Sequence, residues 1–293
     1  MPAAATAVPL ELGKVGVVGL GTMGAGIAQV CIEAGLETVG VETSVELCES
    51  ARGRIEHYLS RRVEKGRMAR AELDAALDRL TTTTELAALA PCDVTIEAIV
   101  EDIDAKRTLF GQLDGVVQSN AVLATNTSAL SVTEIARASE RPERVVGMHF
   151  FNPAPVLDLV EVVRTELTSD ESYERAFAFA GRLGKQPIRC RDTPGFVVNR
   201  ILIPLLNDCV RVLDEAGVTP EDMDRAMQSG LNWPIGPCAL IDLIGVDVHV
   251  HASEALWEAL REPRMAPPPR LVRMVQAGLL GRKVGSGFFA YGE

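Results

Sequence analysis

The chain has 293 residues, 47% hydrophobic and 24% charged, with 25 glycines and 16 prolines. These are average values for a globular protein and exclude collagen-like, low-complexity and disordered classes. Forty acidic against 29 basic residues give a net charge of −11. That removes any general attraction for nucleic acid or anionic lipid, so neither is expected as a partner, and an anionic ligand has to be met by local cations.

The length suggests two domains. The cysteines, Cys31, Cys48, Cys92, Cys190, Cys209 and Cys238, form no CxxC pair and no metal-type spacing. They read as reduced and packed, which points to the cytoplasm. Met1 to Val8 lacks the basic and long apolar regions of a signal peptide and is expected to be a frayed tail. No run approaches the ~18 apolar residues of a membrane span.

From Lys14 the pattern is strand (Val15 to Val18), glycine turn, helix (Ala25 to Ala34, ended by Gly35) and strand (Thr38 to Val41). Ala51 to Arg70 follows, with Arg52, Arg54, Arg61, Arg62, Lys65, Arg67 and Arg70 against only Glu56 and Glu64. Its apolar positions Ile55, Leu59 and Val63 have helical spacing, so an exposed helical hairpin is expected. It is either a solvated charged face or a seat for a phosphate-bearing ligand.

Val94 to Ile96, Ile103 to Leu113 and Ala121 to Thr125 continue the alternation as strand, helix and strand. Alternation of this kind implies a parallel sheet covered by helices on both faces. Arg144 to Phe150 and Leu157 to Val163 are strands joined by the proline-flanked Asn152 to Pro155, a connection too short for a crossover, so they pair antiparallel. Near Asp192-Thr193 the character changes. Helices are expected at Phe196 to Ala216, Pro220 to Ser229, Pro237 to Leu260 and Arg270 to Ala277. The expected fold is α/β: a Rossmann-type N-terminal domain over 1–192 with an inserted helical hairpin, then an all-α C-terminal domain over 193–293.

Gly19, Gly21 and Gly24 form G-x-G-x-x-G between the first strand and its helix. That order serves a tight turn, a close backbone approach to a pyrophosphate, and close packing of helix on strand. The anion then meets the free N–H groups at the helix start. Glu42, 23 residues after Gly19, closes the second strand, where an acid accepts from the adenosine ribose. A carboxylate there repels the extra phosphate of NADP, so NAD is the expected cofactor.

Pairing about the Asn152 to Pro155 turn brings His149 nearly opposite Glu161 on one face of the ladder. A carboxylate on one imidazole nitrogen fixes the tautomer and strengthens the other as a base. This suits a dehydrogenase that removes an alcohol proton as hydride leaves; the alternative is a structural His–Glu pair. Asn126-Thr127-Ser128 ends a strand, where small polar groups serve either a ligand or a turn. Asn199 is an amide in an apolar helix, either satisfied inside or reaching a substrate. Asp247, His249 and His251 alternate, which in a helix does not converge on a metal. Asp247 and His251 are expected as a surface pair, and His57 as a surface residue.

Together these segments resemble the 3-hydroxyacyl-CoA dehydrogenase family from Lys14 to Tyr291. The likeness rests on Val18-Gly19-Leu20-Gly21-Thr22-Met23-Gly24-Ala25-Gly26, Asn126-Thr127-Ser128, Gly147-Met148-His149-Phe150-Phe151-Asn152-Pro153 with Glu161, Pro194-Gly195-Phe196-Val197-Val198-Asn199-Arg200 and Gly281-Arg282-Lys283. The resemblance implies NAD-dependent oxidation of an (S)-3-hydroxyacyl thioester, here short-chain, in fatty-acid metabolism. It makes His149 the base and Glu161 its orienting partner, with Ser128 and Asn199 on the substrate oxygen. Gly19 to Gly24 (with Leu20, Thr22 and Met23), Glu42, Glu101, Lys106, Ser128, Asn152 and Lys283 would line the cofactor. Lys65 and Arg62, on the hairpin, would meet the CoA nucleotide. The helical domain would close over the cleft and form a homodimer.

Glu42 stands where the family usually has Asp, and Trp233 and Cys238 depart from its usual loop, which bears on chain-length preference. A relative acting on a free hydroxy acid or sugar acid, and a non-catalytic cofactor-binding relative, are the competing readings.

Overall fold

The computed structural model describes residues 13–292; the tail expected at Met1 to Val8 lies outside them. The chain divides into two compact units, Met1–Thr193 and Pro194–Glu293.

The first unit contains β1 (Lys14–Val18), α1 (Thr22–Glu33), β2 (Glu37–Val41), α2 (Val45–Glu64), α3 (Arg70–Asp78), β3 (Leu80–Thr83), β4 (Val94–Glu97) and α4 (Ile103–Asp114). β5 (Val122–Thr125), α5 (Val132–Ala136), β6 (Val145–Phe150), β7 (Leu159–Arg164), α6 (Asp170–Arg182) and β8 (Gln186–Arg191) complete it. The strands form one sheet in the order β3-β2-β1-β4-β5-β6-β7-β8. Only β6 and β7 pair antiparallel; the other neighbours are parallel. β4, β5 and β6 are buried along their whole length, as expected of strands covered by helices on both faces. The order reverses between β1 and β4, and ligands of such sheets lie at the carboxyl ends of strands beside that switch.

Two glycines make the first turn possible. Gly19 has φ +84°, a left-handed conformation that a side chain rarely adopts. A Cβ on Gly24 would lie 1.7 Å from the Gly19 carbonyl oxygen, so α1 packs on the turn only without one. α1 therefore starts at Thr22, inside the glycine run and three residues earlier than expected.

The basic hairpin is larger and less exposed than expected. α2 begins at Val45 because Ser44 caps it, accepting from the Leu47 N–H, and α3 forms the return arm. Ala51, Ile55 and Leu59 of α2, with Leu73, Ala76 and Leu77 of α3, join the main hydrophobic core. Only the outer face of the hairpin is solvated. α6 and β8 were not expected. α6 shows a standard start, with Ser169 as cap and Asp170 and Glu171 in the first turn.

The second unit contains α7 (Val198–Ala216), α8 (Pro220–Leu231), α9 (Pro237–Ile244), α10 (Val246–Leu260) and α11 (Pro269–Gln276). The single helix expected from Pro237 to Leu260 is two, broken at Gly245, whose φ of +103° no helix contains. All six cysteines are free thiols, and five are buried. Burial pushes Cys31, Cys92 and Cys190 up to about 12, and Cys238 higher still. Among the described residues, no helix is long and apolar enough to cross a membrane.

Candidate active site

β6 and β7 pair with His149 directly opposite Glu161. The side chains meet: Nδ1 of His149 lies 2.7 Å from Oε2 of Glu161. Glu161 is fully buried and His149 is 6% exposed. An ionised carboxylate only accepts, so Nδ1 carries the hydrogen and Nε2 keeps the lone pair. Phe151 packs on the imidazole with ring centroids 4.4 Å apart. Asn126, at the end of β5, accepts from the Phe150 N–H at 2.9 Å and ties the ends of β5 and β6 together.

Glu101 is the centre of a second cluster. Its Oε1 accepts from the Thr127 hydroxyl at 2.6 Å and the Ser128 N–H at 2.8 Å, with the Ser128 hydroxyl at 3.3 Å. Burial pushes the Glu101 carboxyl up; Lys106 and the bonds from Thr127 and Ser128 outweigh it and hold the group below its ordinary range. Lys106 is only 1% exposed. Its ammonium lies 3.3 Å from Glu101 and 2.5 Å from the fully buried Glu97, which also accepts from the Thr125 hydroxyl. Lys106, expected at the cofactor surface, is thus held beneath Glu101. Thr127 belongs to the polar segment singled out in the sequence; Glu97 and Thr125 were missed, although they end apolar strands, where a buried polar residue needs a partner.

At the glycine turn, the Leu20 side chain is buried while Gly21 and Thr22 are exposed. Glu42 lies one residue beyond β2, and its Oε1 accepts from the Leu20 N–H at 3.0 Å. The start of α1 has no side-chain cap and no acid in its first turn. A Cβ on Gly21 would meet nothing within 4 Å. Open space over uncapped helix N–H groups, with a carboxylate at the end of β2, fits the pyrophosphate and ribose of a dinucleotide. Met23 is half-buried against the core, and Asn152 is exposed on the loop after β6.

On the hairpin, Arg62, expected to meet the CoA nucleotide, forms an ion pair with Glu33. Lys65 is exposed just past α2. Among the described residues, Arg61, Lys65 and Arg67 make no side-chain hydrogen bond or ion pair.

In the second unit, half-buried Asn199 lies in the first turn of α7. Asp247 pairs with Lys283, whose ammonium lies 2.6 Å from both carboxylate oxygens, and not with His251 as expected. His249 is buried, with Nε2 2.9 Å from Asn207 Oδ1, while His251 and His57 are exposed. Asp247, His249 and His251 therefore do not converge. Trp233 is half-buried. Cys238 is fully buried against Cys209, Leu213 and Met223, which makes it a core residue of its unit.

Residues 14–193 match the family model for the 3-hydroxyacyl-CoA dehydrogenase NAD-binding domain, and residues 195–291 match that for the C-terminal domain. A 3-hydroxybutyryl-CoA dehydrogenase of Mycobacterium tuberculosis is 45% identical over 280 residues, 95% of this chain and 98% of the relative. The human mitochondrial hydroxyacyl-coenzyme A dehydrogenase is 37% identical, covering 99% and 94%. The crystal structure of (S)-3-hydroxybutyryl-CoA dehydrogenase PaaH1 from Ralstonia eutropha superposes with a TM-score of 0.93 at 41% identity, covering 97% of this chain and all of that one. The chain belongs to the 3-hydroxyacyl-CoA dehydrogenase family.

Proposed function

We propose that this protein is an NAD-dependent dehydrogenase that oxidises (S)-3-hydroxybutyryl-CoA to acetoacetyl-CoA. The observation that carries the reading is the 2.7 Å bond between His149 and Glu161, buried in the antiparallel pair of β6 and β7. When bound, NAD supplies the hydride acceptor. Glu161 holds the imidazole so that Nε2 is the base, and Nε2 takes the hydroxyl proton. The positive charge that then forms on the ring is compensated by the carboxylate at Nδ1. Ser128 and Asn199 hold the substrate oxygen.

Gly21 and the first residues of α1 present backbone N–H groups to the pyrophosphate, Gly19 and Gly24 allow the turn that places them, and Glu42 accepts from the ribose. Glu101, held below its usual carboxylate range, stays ionised where it orders Thr127 and Ser128. Asn152 and Lys283 line the cofactor in this reading, and Lys106 supports it from below through Glu101. Lys65, with Arg61 and Arg67, supplies the cationic surface for the CoA phosphates. The reading includes a homodimer, supported by apolar side chains exposed on α7, among them Ile201 and Val212. It also includes a reducing compartment such as the cytoplasm, supported by the free thiols.

The test is NADH or NADPH consumption with acetoacetyl-CoA. Turnover with NADH is expected. Preference for NADPH would overturn the role of Glu42, and no turnover with either would overturn the function. Light scattering should give twice the 31.5 kDa chain mass.

A further inference from the structure

The seven cations that stand out in the sequence of the hairpin do not share one task. Arg52 donates to the carbonyls of Leu80 and Leu77, fastening α2 to the start of β3. Arg62 pairs with Glu33 and Arg70 with Asp74. Arg54 does something different. Its Nη2 donates to the Leu20 carbonyl at 2.6 Å, across 34 residues of sequence, while Nη1 donates to the Ser50 hydroxyl at 2.9 Å.

Leu20 stands between Gly19 and Gly21, and its N–H is held by Glu42. The residue is therefore gripped from both sides, by a carboxylate at its N–H and by a guanidinium at its C=O. The second grip has a geometric consequence. The Leu20 carbonyl and the Gly21 N–H belong to one planar trans peptide, so they point in opposite directions. Fixing the carbonyl toward Arg54 fixes the Gly21 N–H away from it. Among the described residues, no group accepts that N–H. The space over Gly21 is open. Glycine turns of this kind carry little stiffness of their own, so an external tie is needed to hold one peptide orientation.

We propose that Arg54 is a positioning residue of the cofactor loop, which orients the Leu20–Gly21 peptide from the substrate-side hairpin and presents the Gly21 N–H to the pyrophosphate. This rests on the reading of Gly19 to Gly24 as a dinucleotide turn. Arg54 makes no contact with the reacting atoms in this account. Its effect falls on cofactor affinity and leaves the chemical step alone. A charge-assisted bond that pre-sets a peptide is worth on the order of a tenfold change in affinity.

The experiment compares wild type with Arg54→Met, Arg54→Lys and Arg52→Met. NADH binding is followed by fluorescence titration, and turnover by saturating both NADH and acetoacetyl-CoA. Arg54→Met is expected to raise the NADH Kd and the KM for NADH about tenfold, with kcat at saturation within about twofold. Arg54→Lys, which keeps one donor, should recover part of the loss. Arg52→Met, which removes a tie of the same kind on the same helix that runs to Leu80 and Leu77 and not to the turn, should lower the melting temperature and leave the NADH Kd in place. Arg54 is exposed, so its replacement leaves the core untouched; if Arg54→Met does not fold, Arg54→Gln gives the same reading. A folded Arg54 variant with wild-type NADH affinity, or one that loses kcat alone, overturns the proposal. Failure of the wild type to bind NADH would overturn the dinucleotide reading itself.

Discussion

Two histidines are enclosed in this molecule, one in each unit, and their surroundings differ in a single chemical respect. His149 faces the carboxylate of Glu161. His249, on α10, faces the side-chain amide of Asn207, on α7. Asn207 in turn donates to the Met265 carbonyl at 3.1 Å, and Ser253 donates to the His249 carbonyl at 2.9 Å. Nδ1 of His249 has no partner among the described residues. A neutral amide cannot compensate an imidazolium, and burial pulls His249 down to about 4. In one unit the imidazole faces a carboxylate that can compensate a proton on the ring; in the other it faces a neutral amide that cannot.

The largest effect that tests this contrast is on catalysis. His149→Ala should lower kcat by about 10²–10⁴-fold, the usual worth of a positioned base. NADH affinity, read by fluorescence titration, should stay within about twofold of wild type. Loss of both together would mean that His149 is a structural residue.

Next comes the acid stability of the second unit. The folded-state value of His249 lies below its unfolded value of 6.5, so between about pH 6.5 and pH 4 the unfolded chain binds the extra proton. Stability in that window rises with pH and is lost as pH falls, by up to about 3 kcal/mol. Both tryptophans, Trp233 and Trp257, lie in this unit, so their fluorescence follows its melting. His249→Gln, which keeps a donor for Asn207 and removes the titration, should flatten the acid limb relative to wild type. An unchanged acid limb would show that His249 is protonated in the folded state.

Glu161→Gln turns the first site into a version of the second, an imidazole facing an amide. A drop in kcat of about 10–100-fold is expected, because the ring loses the carboxylate that fixes its tautomer and compensates a charge formed on it. A smaller change is expected at the hairpin. Replacing Arg61, Lys65 and Arg67 by Gln should raise the KM for acetoacetyl-CoA severalfold, with the difference from wild type shrinking in high salt. A KM unchanged at low salt would leave the hairpin without a ligand role.

Much of the strand pair that carries His149 and Glu161 was legible in the sequence. The proline-flanked turn after Phe150 sets the register, and register alone puts His149 opposite Glu161. The glycine turn was legible because strand, turn and helix follow in an order that few other structures need. What remained hidden depended on contacts distant in sequence. Nothing local distinguishes Arg54, which reaches the glycine turn, from Arg61, which reaches nothing; both sit in the same basic run. Asn207 is one polar residue in a long amphipathic helix, and its partners arrive from α10 and the segment around Met265. The break at Gly245 had a signal, a glycine inside an apolar stretch, but glycines inside helices are common enough to be read through. The start of α2 has a clearer one in Ser44, a capping residue that stands well ahead of the run of arginines.

The thiols lend themselves to practical use. Every native cysteine has its thiol held up by burial, so at neutral pH almost none is present as the thiolate that alkylating probes attack. A single cysteine introduced on the solvated face of the hairpin, as in Lys65→Cys, would then take a fluorescent or spin label over a nearly silent background. The natural chain thus needs no prior removal of its own cysteines before the hairpin can be watched as ligand arrives.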